Sequence, residues 1–545
     1  MAADQTPSSG NAGTGRSILQ NAVVVGVMTA MSRVLGLVRE IAMGYFFGTS
    51  ALKSAFDLAF LVPNLFRRLF GEGALINAFV PIFGEIHKKQ GREEAFRFAW
   101  KVVWLLAVFL SCVTALGILL TWPTAACLSE TSRWLLPMPM LRIMLPYALL
   151  ICVTAIFSGI LNTLGRFAIP ALTPLLLNLI WLVAMLALFP FFPGDLDAQM
   201  KVLCWTVLAA GVVQMLFQLP LLLKLGGRIR LRLDGVFQDR RVRRVLRNMV
   251  PAAIGGGLIQ INVCLDKTLA FYADASGPAA LEYAERIVYL PMGMFATAFV
   301  TVLLPTFSKQ VAADDFSGMR ESLERSIRQL TLIMAPCSAA LILLAYPVIS
   351  LIYGIKGGHF GAESTVLCAR ALAAYAPGLI LFSFQKTLTP AFHAMQDTKT
   401  PMRVGILGIC VNVVSDVTSI YLLPVGWKHV GIAISTVLTS CVTSSVLWFL
   451  LFRRIQTPRF SRLLAPIGKI VACSLAMGGA AFWIWPRVAA FSERVAGDGK
   501  LAQILSMGVV VFVAMAVYAG LVALVDIRLL REVAEDLRGR RKRKR

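Results

Sequence analysis

The chain has 545 residues, of which 57% are hydrophobic and only 15% are charged. About a quarter of the residues of a soluble globular protein are charged, so this composition excludes a cytosolic enzyme and indicates a membrane protein. The formal net charge is +24, which suggests anionic partners such as nucleic acids or a lipid surface. The positions of the basic residues decide between these partners.

Apolar stretches long enough to cross about 30 Å of hydrocarbon, which takes about 20 helical residues, recur along the whole chain. We count roughly fourteen of them by this criterion. The predicted fold is therefore an all-α polytopic membrane protein. The approximate limits of the stretches are 19–46, 54–82, 97–122, 137–163, 168–192, 201–224, 249–273, 279–305, 325–353, 366–393, 401–424, 429–452, 463–487 and 501–527.

The remaining segments carry no sign of a cofactor site or of a catalytic domain. Residues 1–17 are small and polar with no cleavage pattern after them, and are predicted to be a disordered cytoplasmic leader. The ten cysteines include no C-x-x-C pair and the four histidines are scattered, so neither a disulfide framework nor a zinc site is predicted. The external loops are short, and the protein is predicted not to be an enzyme.

Basic residues are concentrated in alternate loops, which predicts that both termini and these loops are cytoplasmic. They flank apolar stretches and are not interleaved with aromatic residues, so anionic lipid headgroups are the predicted partner and nucleic acid is not. The principal clusters are Lys88, Lys89, Arg92 and Arg97; Arg240, Arg241, Arg243, Arg244 and Arg247; Arg453, Arg454, Arg459 and Arg462; and Arg540 to Arg545.

Two short motifs recur at nearly the same spacing. Pro81 and Pro305 each follow an apolar run and precede a charged loop. A second match pairs Gly165-Arg166 and Thr173-Pro174 with Gln396-Asp397-Thr398-Lys399-Thr400-Pro401. The repeat predicts two six-helix lobes in the same orientation, as in transporters, with a chance match of prolines as the alternative. The predicted segments are the leader 1–17, an N-terminal lobe 18–224, a basic cytoplasmic linker 225–248, a C-terminal lobe 249–453, two further helices within 454–527 and a basic cytoplasmic tail 528–545.

Ionisable residues inside apolar stretches are costly, and they normally face a cavity or each other. Some can neutralise each other four residues apart on a helix, namely Arg68 with Glu72 and Glu282 with Arg286.

Five other charged residues lie in the first two stretches, namely Arg33, Arg39, Glu40, Asp57 and Arg67. Arg39 can be held by Glu40 or by a carboxylate on another helix, whereas Arg33 and Arg67 have no obvious local partner. A guanidinium group binds a phosphate through two parallel hydrogen bonds, so these arginines predict a polyanionic ligand such as a diphosphate. Salt bridges between helices are the alternative.

A second polar group combines Asn412 and Asp416, four apart on one helix face, with Asp266 on another stretch. Hard oxygen ligands in apolar surroundings could bind Na⁺ or hold a proton. The alternative is an ion pair of Asp416 with Lys267 or Lys386.

At these residues the sequence resembles the MurJ/MviN family, the lipid II flippases of bacterial peptidoglycan synthesis in the MOP exporter superfamily. The resemblance covers roughly residues 18–530. The motifs that carry it are Ser32-Arg33-Val34-Leu35-Gly36, Pro63-Asn64-Leu65-Phe66-Arg67-Arg68, Ala78-Phe79-Val80-Pro81, Tyr283-Ala284-Glu285-Arg286 and Gln396-Asp397-Thr398-Lys399-Thr400-Pro401.

The resemblance implies fourteen helices and an alternating-access cavity that moves lipid II to the outer leaflet of the bacterial inner membrane, with the helices of 454–527 forming a groove for the lipid tail. Cell-wall synthesis or division proteins are further candidate partners, and Na⁺ or a proton is the candidate coupling ion. The implied substrate-binding residues are Ser32, Arg33, Arg39, Asn64, Arg67 and Arg286; the gate or support residues are Glu40, Asp57, Glu72 and Glu285; and the Na⁺ ligands are Asp266, Asn412 and Asp416.

One position departs from the family pattern. Ser54 stands where the family usually has an acidic residue, and Asp57, one turn further on, is the candidate substitute.

Three other functions compete with lipid II transport. A MOP-type exporter of drugs or of another diphosphate-linked oligosaccharide shares the fold. A polytopic glycosyltransferase would need a catalytic carboxylate in an external loop, where Asp195, Asp197 and Asp274 are the candidates. A purely structural scaffold would tolerate loss of the intramembrane arginines.

Overall fold

The structure is a computed structural model that describes residues 11–71, 73–129, 131–227, 236, 238–455, 460–497 and 499–542. These residues form nineteen α-helices with short turns between them and contain no strand, which confirms the all-α prediction. The helices are α1 (Asn11–Phe47), α2 (Ala51–Phe66), α3 (Ala74–Gln90), α4 (Arg92–Cys127), α5 (Pro137–Met144), α6 (Tyr147–Thr163), α7 (Ala168–Ala187), α8 (Leu196–Lys224), α9 (Arg240–Ala273), α10 (Gly277–Pro291), α11 (Thr297–Ala312), α12 (Phe316–Leu343), α13 (Ala345–Tyr353), α14 (Ala362–Tyr375), α15 (Gly378–Ala394), α16 (Lys399–Leu422), α17 (Lys428–Ile455), α18 (Phe460–Ala496) and α19 (Lys500–Lys542).

The apolar stretches of the sequence all fall on these helices, as expected for a multi-pass membrane protein. Within the described residues, ten helical segments are long and apolar enough to span a membrane, or twelve if each of two bent helix pairs is one span. One pair bends by 43° between α5 and α6, and the other by 44° between α14 and α15. The total of about fourteen spans stays a prediction.

Two of the stretches contain a π-helical turn, in which the helix widens locally. The second stretch consists of α2, a π-helical turn at Arg67–Gly71 and α3, while the eighth consists of α10, a π-helical turn at Met292–Ala296 and α11. A proline lies shortly before each turn, Pro63 in α2 and Pro291 at the end of α10. Because proline lacks a backbone N–H, it weakens the helix, and π-helical turns occur frequently at functional sites.

The chain divides into two compact units. Unit 1 comprises Met1–Met43 and Ala55–Ile261, and unit 2 comprises Gly44–Ser54 and Asn262–Arg545. The predicted lobe, linker and tail boundaries stay predictions. Residues 1–10 of the predicted leader, most of 228–237 in the linker and 543–545 of the tail lie outside the described residues, while α1 begins at Asn11 and α19 extends to Lys542.

Each unit has its own apolar core. In unit 1, α3 and α4 pack through stacked phenylalanine rings, with Phe79 lying 5.6 Å from Phe83 and 5.7 Å from Phe98 between ring centroids. In unit 2, Phe307 and Met319 are fully buried among side chains of α15 and α17. Helices α18 and α19 pack on α12, where the cluster consists of Leu332, Ala335, Ile470, Cys473 and Val522.

Candidate functional site

Arg39 is the most constrained arginine among the predicted site residues of unit 1. Its Nη2 donates a hydrogen bond to Glu40 Oε1 at 2.6 Å, and its Nη1 donates to Asn178 Oδ1 at 3.0 Å. The guanidinium carbon also lies 4.3 Å from the ring centroid of Trp181. Only 11% of the Arg39 side chain is exposed, and within the described chain its buried Nε has no hydrogen-bond partner. The guanidinium is therefore held in one orientation by groups of α1 and α7.

Helix α7 supplies the groups that hold Arg39, and the sequence did not predict them. Asn178 accepts from Arg39 and also donates from Nδ2 to the backbone carbonyl of Ser32 at 3.1 Å, so it ties α7 to α1 at two points. Trp181 follows three residues later and packs against the rings of Phe56 and Phe60. An asparagine within an otherwise apolar stretch was the available signal, because a buried amide needs hydrogen-bond partners.

Arg33 and Arg67 differ from Arg39 in their surroundings. Arg33 is exposed on α1, and its side chain makes no ion pair or hydrogen bond to any described residue. Arg67 is the first residue of the π-helical turn, is partly buried, and donates from Nε to Asn64 Oδ1 at 2.8 Å. Two members of the predicted substrate set, Asn64 and Arg67, are thus in direct contact.

The neighbouring Arg68 donates to Gln260 Oε1 at 3.0 Å. Its predicted partner Glu72 lies outside the described residues.

The departure at Ser54 preserves a hydrogen-bond acceptor. Ser54 is fully buried, and its Oγ accepts a hydrogen bond from the backbone N–H of Ala279 at 3.2 Å, in the first turn of α10. Helix N-termini have backbone N–H groups without intrahelical partners, and a serine or an aspartate can satisfy them equally well. Asp57 lies partly buried on α2 in unit 1, and its predicted role as a substitute stays a prediction.

The predicted cation ligands come together in unit 2. Asn412 Nδ2 donates to Asp266 Oδ1 at 2.6 Å and to Asp416 Oδ2 at 3.0 Å. Its own Oδ1 accepts from Thr439 Oγ1 at 3.0 Å. Asn412 and Asp416 are fully buried, and Oδ1 of Asp416 has no hydrogen-bond partner in the part of the chain that the structure describes. Three helices, α9, α16 and α17, therefore contribute to one polar cluster.

Two buried carboxylates in one cluster are costly while both are charged. Either one of them binds a proton, or a cation neutralises them. Oxygen ligands of this kind suit a hard cation such as Na⁺. No group of three His, Cys, Asp or Glu side chains suited to a metal occurs among the described residues, so a cation here would rely on the amide and hydroxyl as well as on Asp266 and Asp416.

An adjacent network in unit 2 surrounds Arg286. The expected pair of Glu282 with Arg286 is present, with Oε1 of Glu282 lying 3.3 Å from Nη2 of Arg286. The other oxygen of Glu282, Oε2, pairs with Nζ of Lys267. The alternative pairing of Asp416 with Lys267 or Lys386 stays a prediction. Glu285 accepts a hydrogen bond from the hydroxyl of Tyr375 at 3.3 Å.

Ion pairs join the described part of the basic linker to α3 and α4. Asp239 accepts hydrogen bonds from Lys101 Nζ and Arg241 Nε, each at 3.0 Å, and Arg244 lies 3.1 Å from Glu85. Although partial burial opposes ionisation of Asp239, the hydrogen bonds from Arg241 and Lys101 hold its pKa at about 2.

The helices and the charged clusters inside them define an all-α polytopic membrane protein. The model of the family described as Lipid II flippase MurJ matches residues 43–493 of the chain. The probable lipid II flippase MurJ of Rhizobium tropici is 32% identical over 526 residues, covering 94% of this chain and 96% of the relative. The lipid II flippase MurJ of Burkholderia cenocepacia is 32% identical over 471 residues, covering 85% and 89% of the two chains. The chain therefore belongs to the lipid II flippase MurJ family.

Solved structures support the same fold. A lipid II flippase MurJ in an inward closed conformation aligns with a TM-score of 0.73 at 22% identity, covering 93% of this chain and all of that one. An inward-facing multidrug resistance MATE transporter of the MOP superfamily aligns with a TM-score of 0.63 at 17% identity, covering 80% and 98%. The fold that the family resemblance implies is thus confirmed.

Proposed function

We propose that this protein flips lipid II, the lipid-linked peptidoglycan precursor, from the inner to the outer leaflet of the bacterial cytoplasmic membrane by alternating access. Membership of the flippase family and the printed names of the relatives support this proposal. The structural observation that carries it is the state of Arg39, whose guanidinium is fixed by Glu40, Asn178 and Trp181.

The substrate role of the arginines follows from their chemistry. An arginine is always charged, and its planar fork donates parallel hydrogen bonds to phosphate oxygens. Arg39 is fixed in advance, whereas the exposed Arg33 can turn towards a ligand. We propose for each residue the role that the family resemblance implies: Arg33, Arg39, Arg67 and Arg286 are diphosphate ligands, and Ser32 and Asn64 are further substrate-binding residues. Glu40, Asp57, Glu72 and Glu285 are gate or support residues.

The protein acts as a transporter and not as an enzyme in this proposal. Both termini face the cytoplasm, where the basic loops contact anionic lipid headgroups. Cell-wall synthesis or division proteins are the proposed protein partners.

The test is genetic complementation combined with an assay of the substrate. Cells depleted of their own flippase receive Arg33→Ala, Arg39→Ala or Arg67→Ala at matched protein levels, and lipid II in the outer leaflet is measured. We expect each variant to fail. Arg487→Ala is the matched control, because Arg487 is exposed on α18 and stacks on Trp483. Growth with full lipid II exposure in the Arg33 and Arg67 variants would contradict the assigned site.

A second candidate function is export of another diphosphate-linked oligosaccharide or of a drug, and the similarity in fold to a MATE transporter favours it. The two functions differ in one observable. Acute depletion of this protein lowers outer-leaflet lipid II if lipid II is the substrate, and leaves it unchanged if the substrate is different.

We also propose that the cluster of Asp266, Asn412 and Asp416 binds the coupling ion, Na⁺ or a proton. Two observations support this assignment. Oδ1 of the buried Asp416 has no hydrogen-bond partner among the described residues, and Asn412 bridges Asp416 to the carboxylate of Asp266.

A further inference from the structure

We propose that Arg142, Trp122 and Thr121 form a binding site for the phosphate of an anionic phospholipid, in the leaflet on the membrane side opposite the termini. The site joins α4 to α5 within unit 1. It lies on other helices than the arginines proposed for lipid II, and on the other side of the membrane from the basic loops. The inference therefore does not depend on the proposed transport function.

Arg142 is a charged residue inside an apolar stretch, and the sites described above leave it unexplained. Its Nε donates a hydrogen bond to Thr121 Oγ1 at 2.8 Å, and its Nη2 donates to the backbone carbonyl of Thr121 at 2.9 Å. The guanidinium carbon lies 4.7 Å from the ring centroid of Trp122. Arg142 forms no ion pair and no further hydrogen bond with the residues that the structure describes, so no described carboxylate neutralises it.

The two hydrogen bonds occupy one edge of the guanidinium and leave another edge unused. Nε and Nη2 form the edge that faces Thr121, whereas Nη1 and the second N–H of Nη2 form the fork at the end of the side chain. A fork of this kind binds two phosphate oxygens through parallel hydrogen bonds. Because stacking on Trp122 already fixes the plane of the guanidinium, little side-chain entropy is lost when a phosphate binds.

The helices that carry the site are packed closely together. A Cβ at Gly117 of α4 would lie 2.5 Å from Cδ2 of Leu145, the residue that follows α5. Thr121 is buried, and its hydroxyl donates to the carbonyl of Ile118 at 2.6 Å, so its oxygen acts as an acceptor towards Arg142. The position of the guanidinium is thus set by the packing of α4 against α5.

The depth of the site matches the headgroup layer of a lipid leaflet. Helix α4 begins next to basic residues that are predicted to be cytoplasmic, and Trp122 lies 25 residues beyond Arg97 on the same helix. That separation is about 38 Å at 1.5 Å per residue, which exceeds the roughly 30 Å of hydrocarbon in a bilayer. Tryptophan is also enriched at the membrane–water interface. Trp122 and Arg142 therefore lie at the level of the phosphates.

A phospholipid fits both parts of this surface. Leu116, Leu119 and Trp122 recur at helical spacing on α4 and are 58%, 66% and 64% exposed, so they form an apolar face for acyl chains beside the fork of Arg142. The charge of Arg142 favours a headgroup with a net negative charge. In a zwitterionic headgroup, the ammonium of the lipid competes with Arg142 for the same phosphate.

The experiment identifies the lipids that lie next to Leu119, one turn from Trp122. The full-length protein with the photoreactive residue benzoylphenylalanine in place of Leu119 is reconstituted in vesicles of equal parts of phosphatidylglycerol and phosphatidylcholine. After irradiation, the attached lipids are identified by mass spectrometry. We expect phosphatidylglycerol to be enriched about fivefold over phosphatidylcholine, as is typical of one basic residue near a membrane surface.

Variants separate the fork from the charge. Arg142→Gln should return the lipid ratio to that of the vesicle, and Arg142→Lys, which keeps the charge without the planar fork, should retain at most about half of the enrichment. Arg487→Ala is the matched control, because it removes another arginine that stacks on an exposed tryptophan, on α18. It should leave the lipid ratio at Leu119 unchanged.

Several results would overturn the proposal. Equal attachment of the two lipids in the parent, or parent-like enrichment in Arg142→Gln or Arg142→Lys, contradicts a phosphate site at the fork. An equal loss in Arg487→Ala shows that only the overall charge matters. If inorganic phosphate at constant ionic strength removes the enrichment, the fork binds the free ion and the lipid assignment is wrong. If Arg142→Gln does not fold, Trp122→Leu takes its place, and parent-like enrichment in that variant is the contrary result.

Discussion

Asp266 and Lys267 are consecutive residues of α9, yet their side chains lead to two different polar networks of unit 2. Asp266 accepts a hydrogen bond from Asn412 on α16, and Lys267 pairs with Glu282 on α10. Successive residues of an α-helix point about 100° apart, so one turn of α9 serves both clusters. The hydrogen bond of Asp266 to Asn412 and the ion pair of Lys267 with Glu282 therefore depend on the position of the same short segment.

The first prediction concerns the cation. If Na⁺ binds the carboxylate cluster, NaCl should raise the melting temperature of the parent protein, and Asp416→Asn should remove this effect. A ligand present at a hundred times its dissociation constant stabilises a protein by about 2.7 kcal/mol, which is large enough to detect by thermal unfolding.

Choline chloride at equal ionic strength controls for screening in this experiment. If the two salts act alike on the parent protein, Na⁺ is excluded and a proton remains the candidate coupling ion.

The second prediction concerns the hydrogen bonds of Arg39. Arg39→Lys keeps the positive charge but cannot donate to Glu40 and Asn178 in the same planar geometry while stacking on Trp181. We expect a loss of about 1–3 kcal/mol in unfolding free energy, because a buried acceptor is left without its donor, together with failed complementation.

Asn178→Ala is the informative companion to that variant, because it removes one acceptor of Arg39 and leaves the charge pair with Glu40 intact. Its expected effect is weaker than that of Arg39→Lys. If Arg39→Lys is as stable as the parent and supports full growth, the planar geometry of the Arg39 guanidinium is not required.

Much of the fold was predictable because an apolar run that crosses a membrane must satisfy its backbone hydrogen bonds within itself. The described residues of these runs lie on helices, and several runs comprise two consecutive helices. It was also predictable that Asn412 and Asp416 lie on the same side of α16, since residues four apart share one side of a helix. The interruptions of the second and eighth stretches were not predicted, because the prolines at 63 and 291 do not reveal that a π-helical turn follows.

The contacts between helices were the least predictable part of the candidate site. Nothing in the order of the residues shows that α7 lies against α1, so Asn178 and Trp181 could not be assigned to Arg39. In the same way, Lys267 and Glu282 lie on different helices, and their pairing depends on how α9 and α10 pack. Local spacing identified Arg286 as a partner of Glu282, because those two share a helix.

The third prediction tests the hydrogen bond at Ser54. Ser54→Ala removes the acceptor for the Ala279 N–H, and loss of such a cap costs about 1 kcal/mol of unfolding free energy. Ser54→Asp retains an acceptor and should keep stability and growth near those of the parent. Thermal unfolding and complementation of both variants check this. An aspartate variant that behaves like the alanine variant would count against the capping role.

The fourth prediction concerns the packing of α16 against α17. A Cβ at Gly431 would lie 2.4 Å from Cβ of Ser419 and 2.7 Å from Cδ1 of Leu423, distances that atoms do not tolerate. Gly431→Ala should therefore destabilise the protein by about 1–3 kcal/mol, through forced separation of two helices that carry the carboxylate cluster.

Gly405→Ala is the matched control on α16, because a Cβ there meets no atom within 4 Å. In a helix interior that substitution is neutral or stabilising by up to about 1 kcal/mol. Thermal unfolding compares the melting temperatures of the two variants. If Gly431→Ala is as stable as Gly405→Ala, the packing argument is wrong.

The last prediction uses the ionisation of Asp239 at the start of the basic linker. Its pKa is lowered from 3.8 to about 2 in the folded protein, because hydrogen bonds from Arg241 and Lys101 outweigh the effect of partial burial. A lowered pKa means that the group adds stability above pH 4 and that this contribution disappears as the pH falls from about 4 towards 2.

Asp239→Asn should lower stability at pH 7 by up to about 1 kcal/mol and remove that part of the acid dependence. Melting curves between pH 2 and pH 8 test this, with Asp314→Asn, at an exposed carboxylate of unit 2, as the control. Identical acid profiles for the parent and Asp239→Asn would mean that these hydrogen bonds do not stabilise the linker against α4.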